Sequence, residues 1–192
     1  MARPGRLVDF VCVTRSKALL VAALLLAVFA VVGATATAAP SATARSERQL
    51  RTLNHQLAAA INTFRRAHGL VPLRVSVGLN ASARQHSVEM GEDGYFDHPS
   101  ADGTVFWKRI KRFYGPRIRP GTWFVGENLL WQAPGMTAKA AVRAWLRSPE
   151  HRENLLRRSF RDVGIAAVRA NAAPGVYEQR HVTVLTVDFG TR

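Results

Sequence analysis

Three polar residues stand where their type and local setting are suited to chemistry. Ser148-Pro149-Glu150-His151 reads as the start of a helix, with Ser148 as N-cap and Pro149 at the first position, where its missing N–H is not needed. His151 then falls in the first turn. The positive end of the helix dipole disfavours the imidazolium there and leaves the neutral ring, the form that binds a metal or takes a proton. His98 lies in the turn-rich stretch Tyr95 to Gly103 and is held extended by Pro99, so a loop presents it. Glu127 interrupts the strand-like run Phe124 to Trp131, where a carboxylate must be paired or functional because burying it alone is costly. The spacings from His98 to Glu127 to His151 match no compact metal motif, so spacing alone assigns no site. Two further histidines have structural explanations: His68 ends a helix as a cation at its negative pole, and His86 stands three residues from Glu89 as a core-edge contact.

Charge and compartment narrow the functional classes. The 192 residues carry 27 Lys and Arg against 13 Asp and Glu, a formal charge of +14, which favours anionic partners without specifying a fold. Arg3, Arg6, Arg15 and Lys17 precede an unbroken apolar run from Ala18 to Val32, and Gly33 to Ala39 offers small-residue cleavage sites. That is an export signal over residues 1–38, or an uncleaved single-span anchor, residues 18–38 then making the membrane contact. Both place the body outside the cell, which argues against nucleic acid as the partner. The sole cysteine, Cys12, lies in the same segment, so the exported part has no disulfide. Residues 1–38 hold four basic and one acidic residue, leaving 23 basic and 12 acidic residues and a charge of +11 beyond them. The basic groups concentrate between Phe106 and Arg119, where Lys108, Arg109, Lys111, Arg112, Arg117 and Arg119 alternate with aromatics and no acid intervenes. Lys108, Arg109, Lys111 and Arg112 form a candidate surface for an anionic envelope polymer or lipid, the alternative being a solvated helix face over core aromatics.

The elements that must position these residues are readable. Residues 39–46 read as a small-residue linker ahead of one domain spanning 47–192. Leu50, Leu53, Leu57, Ile61 and Phe64 recur at helical spacing up to a stop at Gly69. Ser76 caps a second helix with Leu79, Ala83, His86 and Met90 on one face, ended by Gly91 and Gly94. Thr137 caps a third helix with Ala138, Ala141, Val142 and Trp145 inward, which runs into the Ser148-Pro149 restart. Asp162 to Arg169 is apolar on both faces, as a central strand is, and Val182 to Phe189 returns after a turn at Ala173-Pro174-Gly175. Helices enclosing a short antiparallel sheet make an α+β or layered domain.

Several of these pieces together resemble the CAP superfamily (cysteine-rich secretory protein, antigen 5, pathogenesis-related 1; the SCP domain) in its bacterial branch. They are Asn62-x-x-Arg65 with Gly69-Leu70-x-Pro72-Leu73, Ala83-x-x-His86-Ser87-x-x-Met90, Phe96-x-His98 with Asp102-Gly103, and Gly126-Glu127-Asn128-Leu129. Trp145-x-x-Ser148-Pro149-x-His151-Arg152-x-Asn154-Leu155-Leu156, Val163-Gly164-Ile165 and Val187-Asp188-Phe189-Gly190 complete the ordered set. The resemblance implies a three-layer α-β-α sandwich with a short, mainly antiparallel sheet, and a cleft where His98, Glu127 and His151 converge. Many members carry a second glutamate shortly after the helix tryptophan, but Leu146, Arg147 and Ser148 follow Trp145 here, so Glu150 or Glu153 would have to replace it. The family's likeness to zinc binders makes Zn²⁺ on His98 and His151 the expected cofactor if there is one.

Two functions from different classes follow. One is an exported binding module that presents its cleft and basic surface to an extracellular lipid, an envelope polymer or a host molecule. The other is a hydrolase, protease-like, with Glu127 as general base beside a metal-bound or histidine-activated water. A purely structural envelope protein is a third.

Overall fold

A computed structural model of the protein describes residues 41–116 and 123–192; the expected export segment, Arg117 and Arg119 lie outside them. Helix α1 (Ala42–Ala67) opens the domain, followed by a two-residue strand β1 (Arg74–Val75) and helix α2 (Val77–Asp93). Helix α3 (Phe106–Phe113), strand β2 (Phe124–Gln132) and helices α4 (Ala138–Leu146) and α5 (Pro149–Leu156) come next. Strands β3 (Asp162–Ala173) and β4 (Arg180–Thr191) close the chain. The sheet order is β1-β3-β4-β2, with β1 parallel to β3 and the other pairs antiparallel.

Period-two alternation sends the side chains of β3 and β4 into two helical layers. Val163, Ile165 and Ala167 of β3 and Leu185, Val187 and Phe189 of β4 pack against Leu53, Leu57 and Ile61 of α1, Trp145 of α4 and Leu155 of α5. The opposite face meets α2 and α3: Val182 and Val184 contact Met90, and Ser87 Oγ donates to the Ala166 carbonyl, 2.9 Å away. The approach of α2 is close because Gly164 has no side chain, and a Cβ there would lie 2.1 Å from the Leu79 carbonyl carbon. This is the expected α-β-α sandwich.

Two boundaries differ from the sequence reading. Helix α1 begins at Ala42, with Ser41 as N-cap accepting from the Ala44 N–H, so residues 42–46 are helix and not linker. Small residues gave the linker reading, but alanine is the best helix former, and a cap was at hand. Gly91 does not end α2, which continues to Asp93 and stops at Gly94 in the left-handed conformation. Gly91 instead lets the helix close on Ala170 of β3, whose Cβ would be 3.1 Å from an added Cβ.

Candidate functional site

Strand β2 is the edge of the sheet on which both helical layers converge, and its residues alternate between them. Glu127 lies opposite Asp188 on the α2/α3 side, while Asn128 reaches α5, its side-chain N–H₂ donating to the His151 carbonyl at 3.0 Å. Asn154 of α5 donates to the Glu127 carbonyl at 3.1 Å and to Asn128 Oδ1 at 2.9 Å. Trp145 of α4 donates to the Leu129 carbonyl at 3.0 Å. Carbonyls that an edge strand would leave open are thus taken by two residues of the Trp145-to-Leu156 motif, which fixes α5, and with it His151, against the strand that carries Glu127.

His98 arrives from the other layer on a loop pinned at several points. Buried His86 meets the Asp97 carbonyl through Nε2 at 2.9 Å, and Glu89 accepts the Ala101 N–H at 3.0 Å. Tyr177 donates to the Tyr95 carbonyl at 2.8 Å. Arg109 of α3 donates to the His98 carbonyl and to Ser100 Oγ, both at 3.1 Å. With this loop fixed, His98 Nδ1 stands 2.8 Å from Glu127 Oε1 while its side chain stays 44% exposed.

Arg109 corrects the sequence reading. It was expected on an anionic-binding surface with Lys108, Lys111 and Arg112, but it is fully buried and pairs with Glu127 Oε2. The other three are exposed, as expected. Helical spacing explains the difference: Phe106, Arg109 and Ile110 recur at i, i+3 and i+4, the pattern of an inward stripe, and Arg109 and Ile110 are buried together. The stripe was visible in the sequence and masked by the surrounding positive charge. Arg109 is also the partner that the buried Glu127 required.

The cleft, about 320 Å³, is lined by His98, Phe106, Val125, Gly126, Glu127, Glu150, His151, Asn154 and Arg157. The structure places His98, Glu127 and His151 in this one lining. Of the two candidates for the missing glutamate, Glu150 borders the cleft, whereas Glu153 pairs with Arg157 four residues on. The two imidazoles are pushed apart in basicity. The hydrogen bond to Glu127 raises His98 above its ordinary 6.5 against some desolvation. Burial lowers His151, and the positive charge of His98 adds to it. The direction for His151 is the one expected from its first-turn position, though desolvation is the leading cause.

Metal binding meets a limit in the donor set. Among the described residues no three His, Cys, Asp or Glu side chains are grouped to hold a metal ion. Both oxygens of Glu127 are already engaged and Glu150, though it borders the cleft, completes no such group, leaving two imidazoles, one fewer than the three protein ligands of a catalytic zinc site. The residues present therefore do not fit a zinc ion held by the protein alone.

Among the described residues no helix is long and apolar enough to cross a membrane. The sequence of YkwD, an uncharacterised protein of Bacillus subtilis, is 32% identical over 139 residues, covering 72% of this chain and 48% of the relative, so the chain spans about half the length of the curated relative it matches. An extracellular SCP-domain protein of Bacillus anthracis shares the fold with a TM-score of 0.62 at 24% identity, over 81% of this chain and 45% of that one. An outer surface protein of Borrelia burgdorferi superposes with a TM-score of 0.54 at 23% identity, over 71% of this chain and 90% of that one. The family model of the cysteine-rich secretory proteins matches residues 58–189, a span that holds every side chain of the cleft. The chain belongs to this CAP family, and is of its bacterial type.

Proposed function

We propose that the protein is an exported binding module whose cleft takes the anionic group of an extracellular ligand, an envelope lipid head group or envelope polymer. The observation that carries this is the commitment of Glu127: one oxygen faces Arg109 and the other His98, so the carboxylate acts as counter-ion and not as a free base. With Nδ1 bonded to Glu127 and its basicity raised by that bond, His98 keeps Nε2 as a donor for the cleft it lines, and His151, which burial holds toward the neutral form, lines the same cleft. None of the nine lining residues is Ser, Thr or Cys, so the cleft holds no hydroxyl or thiol nucleophile. Exposed Lys108, Lys111 and Arg112 extend positive charge along α3. The extracellular and outer-surface descriptions of the relatives agree with export.

Glycerol phosphate and inorganic phosphate serve as soluble probes in calorimetry. His98→Ala is expected to weaken binding about tenfold or more, the scale of one lost charged hydrogen bond. Affinity should fall as pH rises through the His98 midpoint, above 6.5, because the cation is lost there. Reversing Lys108, Lys111 and Arg112 should reduce capture of a polyanion and its salt dependence, since exposed charges are screened within about 8–10 Å at physiological ionic strength. Binding that survives His98→Ala unchanged sinks the reading.

The hydrolase alternative rests on a different observation, the opposed basicities of the two imidazoles, which suit a neutral base at His151 and a charged acid at His98. Turnover of peptide, ester or glycan substrates, abolished by His151→Ala, would select it.

A further inference from the structure

Among the described residues, the buried side-chain atoms with no hydrogen-bond partner gather around one point: Ser82 Oγ, Arg109 Nε and both carboxyl oxygens of Asp188. Asp188 is fully buried and directly opposite Glu127 across the β2–β4 pair, so the two carboxyls lie side by side on one face. On the β3 side Asp188 faces Gly164, which brings no charge. From α3 comes Arg109, whose terminal nitrogen is given to Glu127. From α2 come Ser82, near enough to act on Asp188 but outside hydrogen-bond geometry, and His86, which burial holds toward the neutral form. His98 bonds to the far side of Glu127. Two carboxyls therefore share one buried guanidinium, and that guanidinium is directed at only one of them.

Adjacent buried carboxyls cannot both ionise without a second cation, so one keeps its proton. Glu127 has the guanidinium and the imidazole; Asp188 has neither. We infer that Asp188 is a positioning residue of the cleft, a neutral carboxylic acid behind Glu127 that leaves the Glu127 charge to Arg109 and His98. In support, burial pushes the Asp188 carboxyl well up and the Glu127 charge adds to this, against opposing effects of Ser82 and Arg109. The consequence is electrical. With Asp188 neutral, Glu127 cancels Arg109 and the charge of His98 remains as net positive charge facing the cleft; an ionised Asp188 would cancel it. The protonation of Asp188 stands whichever ligand the cleft takes.

Carbon-13 NMR of the aspartate side-chain carboxyls, followed from about pH 4 to about pH 8 in the wild-type protein, tests this with no ligand present. The Asp188 carboxyl is expected to keep its protonated shift at neutral pH, where the other aspartates have already ionised. Asp188→Asn, a neutral group of the same shape, should melt at the same temperature as the wild type or higher at neutral pH. The sign follows from linkage. A raised folded-state pKa gives stability that is complete below the unfolded value near 3.9 and is lost as pH rises, a loss the asparagine does not suffer. An Asp188 carboxyl that titrates with the other aspartates near pH 4 overturns the assignment. So does an asparagine variant that folds but whose melting temperature shows the wild-type pH dependence. The wild-type spectrum alone decides the question if the variant does not fold.

Discussion

Replacing Arg109 with methionine is expected to destabilise the domain by about 3–5 kcal/mol, read from urea denaturation, because it leaves the Glu127 carboxylate buried without its cation. Both side chains are fully buried, so water cannot replace the guanidinium. The same substitution removes the two bonds that hold the His98 carbonyl and Ser100 Oγ, so the His98 loop should also exchange its amide hydrogens faster. Combining Arg109→Met with Glu127→Gln removes the orphaned charge and should recover a large part of the loss, since most of the single-variant penalty belongs to the unpaired anion and not to the pair itself. A loss below about 1 kcal/mol for Arg109→Met, or strict additivity in the double variant, would mean that Glu127 is not held as a buried anion.

A comparable effect is expected at Arg65 of α1, another fully buried guanidinium, but one with no carboxylate partner among the described residues. It donates to the backbone carbonyls of Val71 at 3.0 Å, Leu155 at 2.9 Å, Arg157 at 3.2 Å and Phe160 at 3.4 Å. Leu155 and Arg157 stand at the C-terminal end of α5, where carbonyls lack helical partners and a cation is favoured. Arg65→Met should therefore cost about 3–5 kcal/mol, since hydrogen bonds from a charged donor are worth roughly 1.5–3 kcal/mol each and the orphaned carbonyls stay buried. Arg65→Lys should recover less than half of this, because a point charge cannot replace the planar fork that reaches several carbonyls at once. Hydrogen exchange should show α5, the helix that carries His151, loosening before the sheet does. Full rescue by lysine would show that charge alone, without the fork, holds α5 in place.

What the sequence disclosed and what it hid follow from the same physics. Helices α4 and α5 were legible because caps and restarts are local: the Thr137 side chain caps α4, and α5 starts at Pro149 after Ser148, although the Ser148 side chain makes no capping bond. The need for a partner at Glu127 was legible too, from the cost of burying a carboxylate; the identity of the partner was not. Arg109 stood in a run of basic residues where charge suggested solvent, although its spacing from Phe106 and Ile110 placed it inward. Arg65 continues the inward series of Leu57 and Ile61 at four-residue steps, yet nothing local shows that it reaches carbonyls about 90 residues further along the chain. Asp188 was hidden for another reason. Strand β4 is covered on both faces, so alternation could not separate its inward polar residue from its apolar neighbours. Long-range partnership, unlike capping, leaves no mark in the sequence.

Beneath the proposed function lies the claim that the two cleft imidazoles are set apart in basicity, His98 raised by its bond to Glu127 and His151 lowered chiefly by burial. Proton NMR titration of the His98 and His151 rings in the wild type and in Glu127→Gln measures this directly. The His98 midpoint is expected above the ordinary 6.5 and the His151 midpoint below it. In Glu127→Gln the His98 midpoint should fall, because its hydrogen-bonded counter-ion is gone, and His151 should rise slightly as the neighbouring positive charge weakens. Midpoints that coincide in the wild type, or a His98 midpoint that Glu127→Gln leaves unmoved, would contradict it.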